Sequence, residues 1–342
     1  MVKLVLAGVI LIAVGRQFAR DLRRPDLWQQ PLQPGWLVLA GLLYLLGIGF
    51  SALYWDRLLR AAGQRPSVGG MLRAYYVGHL GKYLPGKAWA LFLRAGLARA
   101  DGVRLSIGAV TSTYEVLTTM AAGVLLALVL FWVLAPDTAA AIDWDLFRRM
   151  LTQDITGQTV LDRKVLALLA LVLLVPIAVA IAPPVFNRLM RRIAQPFRQS
   201  DAVPLPRPGI AALVEGLVLT AFGWLVLGAS LWAVLQTVVS EPPAWSWRAL
   251  GLYTAYLSTA YVAGFVIVVV PGGLGVREFF LTLFLTPELA PLVGGDEGRA
   301  RATAVLAVVI LRLVWTAAEL PAAGLLYVLP GGPPSPPTPL PP

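Results

Sequence analysis

The chain has 342 residues, with 28 Lys and Arg against 18 Asp and Glu, a formal charge of +10; only 13% of it is charged and 58% is apolar. A soluble surface needs roughly 25–35% charged residues, so an ordinary soluble enzyme, a solenoid of polar repeats and a disordered protein are excluded. There are no cysteines and one histidine, His79, which removes disulfides and thiolate metal sites and leaves any His-based site resting on one residue.

The basic residues lie between long apolar runs, which points to a membrane surface rather than to nucleic acid. A bilayer core needs about 20 apolar residues as helix. Such runs occur at 4–18, 35–58, 105–134, 163–183, 209–239, 249–270 and 302–328. Backbone inside lipid must satisfy its own hydrogen bonds, so these are predicted helices and not strands. The expected fold is all-α: a polytopic membrane helix bundle of about 7–8 membrane segments, forming one domain over 1–329.

The run 4–18 reads as a retained span and not as a signal peptide. Arg16, Arg20, Arg23 and Arg24 follow it, and a clear small-x-small cleavage site is missing. With the N-terminus inside, the cytoplasmic loops 57–104 and 183–207 hold more Lys and Arg than the opposite loops, although Arg16 to Arg24 run against this locally. The positive-inside rule therefore places the N-terminus in the cytoplasm.

Segment 66–98 is helix-like but too polar to cross alone. It turns on Pro85-Gly86, where proline ends the preceding helix and glycine permits the turn. Non-helical backbone at membrane depth needs protein or water around it. A re-entrant or broken helix is the preferred reading, with an amphipathic surface helix as the alternative. A helix starting after Pro85-Gly86 would aim free N–H groups at the turn. Lys82, Lys87 and Arg94 beside it make an anion site suited to a lipid phosphate, or equally a set of topology signals touching head groups. His79 reads as an interfacial hydrogen-bonding residue.

In the run 105–134, Thr111, Glu115 and Thr118 fall at i, i+4 and i+7 on one face. The following loop carries Asp143-Trp-Asp145, the acid spacing of metal-dependent glycosyltransferases. It is predicted to face outward, where nucleotide sugars are absent, and is read as coincidence. The run 249–270 repeats the polar spacing in Thr254, Ser258 and Tyr261. Segment 271–286 is apolar but too short to cross and turns on Pro271-Gly272-Gly273, with Gly275 close behind. Arg312, Thr316 and Glu319 place a third polar stripe on the run 302–328. Ionisable groups at this depth cost roughly 2.5–3.5 kcal/mol each on insertion scales. Arg94, Arg277 and Arg312 against Glu115, Glu278 and Glu319 are therefore expected to pair or to face water. Two readings remain: pairs that only fix helix packing, or a polar cavity. Arg277 and Glu278 are adjacent, about 100° apart on a helix, and are expected to serve different partners. The tail 330–342 is mostly Pro and Gly and should be a disordered polyproline-like extension.

The two parts 66–134 and 249–328 also look alike, each running from tyrosines through a Pro-Gly step to charged residues and a further helix. Transporters often contain such repeats, with broken helices meeting at a midplane site. No P-loop, Rossmann glycine motif or HExxH occurs, which disfavours a nucleotide-driven pump.

The words GKYLPGKAW (81–89) and VPGGLGVREFFL (270–281), with Arg94 and, more loosely, Glu115, resemble one family. It is the lysylphosphatidylglycerol synthase/flippase transmembrane family, and the resemblance spans roughly 35–328. Carried over by motif, Pro85, Gly86, Lys87, Arg94, Pro271, Gly272, Gly273, Gly275, Arg277 and Glu278 are the family-like positions. Bifunctional members add a soluble aminoacyl-transferase domain; with a Pro-rich tail following the last apolar run here, that domain is not expected. The resemblance therefore implies lipid translocation, or another lipid-related role, and not aminoacylation. The expected function is a flippase-like transporter of a phosphate-containing lipid, of phospholipid or polyprenyl-phosphate type, in the bacterial inner membrane. The alternatives are a membrane-embedded lipid-modifying or glycosyl-transferring enzyme, or a non-transporting partner of a cell-envelope enzyme. Candidate substrate-binding residues are Lys82, Lys87, Arg94, Glu115, Arg277, Glu278, Arg312 and Glu319. No cofactor, metal site or catalytic residue is expected, and the partners expected are membrane lipids.

Overall fold

The computed structural model describes residues 33–83, 89–134, 172, 175, 177–194, 207–239, 241–266 and 275–328. The predicted span 4–18, most of 163–183, the turns at Pro85-Gly86 and Pro271-Gly272-Gly273, the acidic loop and the tail lie outside the described residues. The described chain is an all-α bundle. In order it forms α1 (Pro34–Ala61), α2 (Val68–His79), α3 (Trp89–Ala98), α4 (Leu105–Leu134), α5 (Pro183–Ala194), α6 (Ile210–Val238), α7 (Trp247–Val266), α8 (Val276–Leu289) and α9 (Glu297–Val328). Five of these, α1, α4, α6, α7 and α9, are long and apolar enough to cross a membrane. This is a multi-pass membrane protein.

Helices α1 and α6 form the central seam. The Gln33 N–H donates to Thr237 Oγ1 at 2.8 Å, and Ser230 Oγ donates to the Ala40 carbonyl at 2.7 Å. Further along, Gly47 meets Gly223, and Tyr54 lies against Gly216. Each step advances one helix by seven residues and takes the other back by seven, so the pair is antiparallel with a heptad repeat. That period keeps one stripe of each helix on its partner. Small residues let the backbones approach, as membrane helices without a hydrophobic drive between them require. A Cβ on Gly223 would sit 2.8 Å from the Gly47 carbonyl oxygen.

The segment expected to be re-entrant is a helical hairpin. Gly70 faces Asp101, Gly78 faces Arg94 and Gly81 faces Ala90, so α2 and α3 run antiparallel in close contact. A 3₁₀ turn, Leu80–Tyr83, carries α2 toward the hairpin's tip. At its base Ser67 accepts from the Gly70 N–H at 3.0 Å and donates to Asp101 at 2.8 Å, while Arg73 reaches Asp101 at 3.4 Å. The cap fixes where α2 begins. In the second half, α7 and α8 take the same places in the order: long helix, two packed helices, long helix. The packings correspond as well. α1 lies on α9 as α6 lies on α4, and α2 lies on α9 as α7 lies on α4.

Replacing Gly223 by Ala should lower the thermal stability of the detergent-solubilised protein by about 1–3 kcal/mol, because the facing atom is backbone and cannot turn aside. Gly324→Ala, with nothing within 4 Å of its added methyl, should be neutral or stabilising by up to about 1 kcal/mol. Equal melting temperatures for the two variants would contradict the seam.

Candidate functional site

A cavity of about 430 Å³ opens between the first hairpin, α1, α4, α6 and the α7–α8 pair. Its wall has two characters. Lys82, Arg94, Glu115 and Arg277 line one part with His79 and Tyr75, whereas Trp224, Leu227, Leu117 and Met120 line an apolar part formed by α6 and α4.

Arg94 is 2% exposed and donates to Glu115 Oε2 at 2.5 Å. The other carboxylate oxygen accepts from the hydroxyls of Tyr75 at 3.1 Å and Thr119 at 3.2 Å. The guanidinium lies 3.9 Å from the Tyr75 ring centre and 5.5 Å from that of Trp55. Ring faces attract a cation strongly where water is excluded. Arg94 Nε has no hydrogen-bond partner among the described residues.

Glu278 gathers a second cluster. Gly275 takes φ +82°, a conformation open to glycine, and starts α8. Three residues on, the Glu278 side chain turns back and accepts from the Gly275 N–H at 2.8 Å, the glutamate half of a capping box. Its second oxygen accepts from Arg277 at 2.7 Å and from Arg312 at 2.5 Å. Arg277 also lies 4.4 Å from the Tyr261 ring centre.

Glu319 holds the third. Tyr44 and Lys82 both donate to its Oε1, and Tyr83 donates to Oε2 at 2.8 Å. His79 Nε2 stands 3.6 Å away. Tyr44 itself stacks on Trp315, ring centres 4.4 Å apart.

Residues 1–320 match the family model of the lysylphosphatidylglycerol synthase TM region. The chain belongs to this family. No curated protein matches the chain closely enough to count as a relative.

In this member of the lysylphosphatidylglycerol synthase transmembrane family, four of the expected site residues, Lys82, Arg94, Glu115 and Arg277, line one cavity. Glu278, Arg312 and Glu319 stand behind them and hold Arg277 and Lys82 in place. Lys87 and the turn residues Pro85, Gly86, Pro271, Gly272 and Gly273 lie outside the described residues, while Gly275 is at the start of α8. The expectation that Arg277 and Glu278 serve different partners is corrected: they bind each other. Helical angles put adjacent Cβ atoms about 100° apart, but a first-turn glutamate curls back to its own helix start, within reach of its neighbour. Lys82 and Arg94 share the cavity but not a partner. The tyrosines at 44 and 83 were not singled out in the sequence. A lone tyrosine in or beside an apolar run carries no signal that distinguishes a carboxylate donor from a core filler.

Two arginine deletions should differ in cost. Arg94→Ala strands the Glu115 carboxylate with hydroxyl donors only and should destabilise by about 3–5 kcal/mol. Arg277→Ala leaves Glu278 with Arg312 and the Gly275 N–H and should cost clearly less. Thermal unfolding in detergent decides, and the reverse order contradicts the partner assignment.

Proposed function

We propose that this protein moves a phosphate-containing lipid, of phospholipid or polyprenyl-phosphate type, between the leaflets of a bacterial inner membrane in which its N-terminus faces the cytoplasm. The observation that carries the reading is Arg94. Arg94 lines the cavity while its Nε–H is buried without a partner among the described residues; such an unmade bond costs about 1–3 kcal/mol, so a small turn of the guanidinium toward an anionic oxygen in the cavity would be favoured. A phosphate meets that need with the planar fork of the guanidinium. Arg277 adds a second cation, because Glu278 is shared with Arg312 and one positive charge in that trio is left over. The apolar wall on α6 and α4 then receives the acyl or prenyl chain while the head group lies against the hairpin side.

The corresponding packings of the two halves, with α1 antiparallel to α6, support an inverted repeat of 66–134 and 249–328. Such repeats let one half rock against the other around a fixed site. The basic bias of the predicted cytoplasmic loops supports the orientation.

The test is movement of fluorescent lipids in reconstituted vesicles, read by dithionite quenching of the outer leaflet, with phosphatidylglycerol and a short polyprenyl phosphate as separate arms. At least one of the two should equilibrate across the bilayer faster than in protein-free vesicles. Arg94→Lys keeps the charge beside Glu115 but loses the two-point grip, and should slow that movement by about tenfold or more. Rates equal to protein-free vesicles in both arms, or an unaltered rate in Arg94→Lys, would refute the reading.

A further inference from the structure

Glu319 is 3% exposed, and groups from three other parts of the fold surround its carboxylate. Tyr44 approaches from α1, His79 from α2, and Lys82 and Tyr83 from the 3₁₀ turn. His79 Nε2 also lies 3.4 Å from the Tyr44 hydroxyl, and Lys82 Nζ donates to that hydroxyl at 3.1 Å. On Glu319's own helix, Arg312 is turned to Glu278, and Thr316 contacts Tyr83 at 3.0 Å. Arg277 on α8 is likewise held by Glu278. Among the described residues, Lys82 is thus the lysine or arginine bound to Glu319. Lys82 also lines the cavity, and Glu319 stands behind it.

We infer that Glu319 is the proton-coupling group of the lipid site, taking up one proton when an anionic head group draws Lys82 away from it. The inference rests on the lipid-transport reading above and adds its energy source. A lysine ammonium is a compact charge on a flexible stem with three donors, so it can turn from one anion to another, whereas Arg94 is wedged between Glu115 and two rings. When Lys82 turns to a phosphate in the cavity, Glu319 keeps hydroxyl donors and the imidazole but loses its cation. A carboxylate left so in an apolar site becomes neutral by binding a proton instead of remaining an unpaired charge. The balance is simple. Lys82 stays an ammonium and the head group keeps its charge. One proton passes from water to a Glu319 oxygen and returns to water when the lipid leaves and Lys82 swings back. His79, in the cavity wall and beside Glu319, is the one imidazole placed to relay it. For a singly charged head group the step moves no net charge, so it follows a pH gradient and not a voltage.

The experiment uses the reconstituted full chain, the same two fluorescent lipids and an imposed pH gradient at clamped zero voltage. Wild-type protein should concentrate phosphatidylglycerol, or the polyprenyl phosphate, in the leaflet facing the alkaline side. At one proton per lipid the leaflet ratio shifts by roughly tenfold per pH unit. An entrapped pH dye should report proton entry together with lipid movement. Glu319→Gln, which cannot titrate, should lose the gradient-driven shift. Lipid movement in the wild-type protein with an even leaflet distribution and no dye response overturns the coupling while leaving the transport reading intact. A Glu319→Gln protein that still concentrates lipid overturns it too. Movement of neither lipid overturns both.

Discussion

A carboxylate carried into an apolar helix bundle must bring its cation with it, since removing one partner of a buried pair costs about 3–5 kcal/mol. Glu115 and Glu278 meet that demand between consecutive helices, and Glu319 meets it across most of the chain. Arg94 and Glu115 clasp α3 to α4, Arg312 and Glu278 clasp α9 to α8, and Lys82 and Glu319 clasp the hairpin to α9. The short helices α2, α3 and α8 are not among the five long enough to cross a membrane. These clasps join them to the long helices and bring a polar surface to one cavity. Packing and the proposed binding therefore use the same side chains.

The clasps need a frame that does not move with them. The α1–α6 seam supplies it, with backbone contact at Gly47 and Gly223, a hydrogen bond from Gln33 to Thr237 toward one end and the Tyr54 ring packed against Gly216 toward the other. Its lower residues also form cavity wall: Gly47 and Ile48 on α1, Gly223 and Leu227 on α6. The apolar lining thus comes in part from the most closely packed helices, and the charged lining from the hairpin, α4 and α8.

Much of this was legible in the sequence because it depends on local pattern. Continuous apolar length marks a span whatever surrounds it, so five runs reappear as helices α1, α4, α6, α7 and α9. Segment 66–98, read as broken at Pro85-Gly86, forms two short helices on either side of that word. The spacing of Thr111, Glu115 and Thr118 announced an inward face, and all three are buried. Pairing was harder to read. Which glutamate meets which cation depends on how helices are placed in space, and an apolar sequence is nearly silent on that. Arg277 and Glu278 show the limit: their neighbourhood in sequence argued for separate roles, and only the backward turn of Glu278 to Gly275 brings them together. Tyr44 and Tyr83 show another, since their hydroxyls acquire a role only once Glu319 is beside them.

The account depends most on a phosphate sitting against the buried arginine of the hairpin. Solid-state NMR can measure this as phosphorus-to-nitrogen dipolar coupling, with arginine side chains labelled in ¹⁵N and the protein in bilayers containing phosphatidylglycerol. The account predicts a short-range coupling to an arginine Nε that disappears in Arg94→Lys. A spectrum whose couplings are unchanged in Arg94→Lys would place the lipid phosphates on other arginines and contradict it.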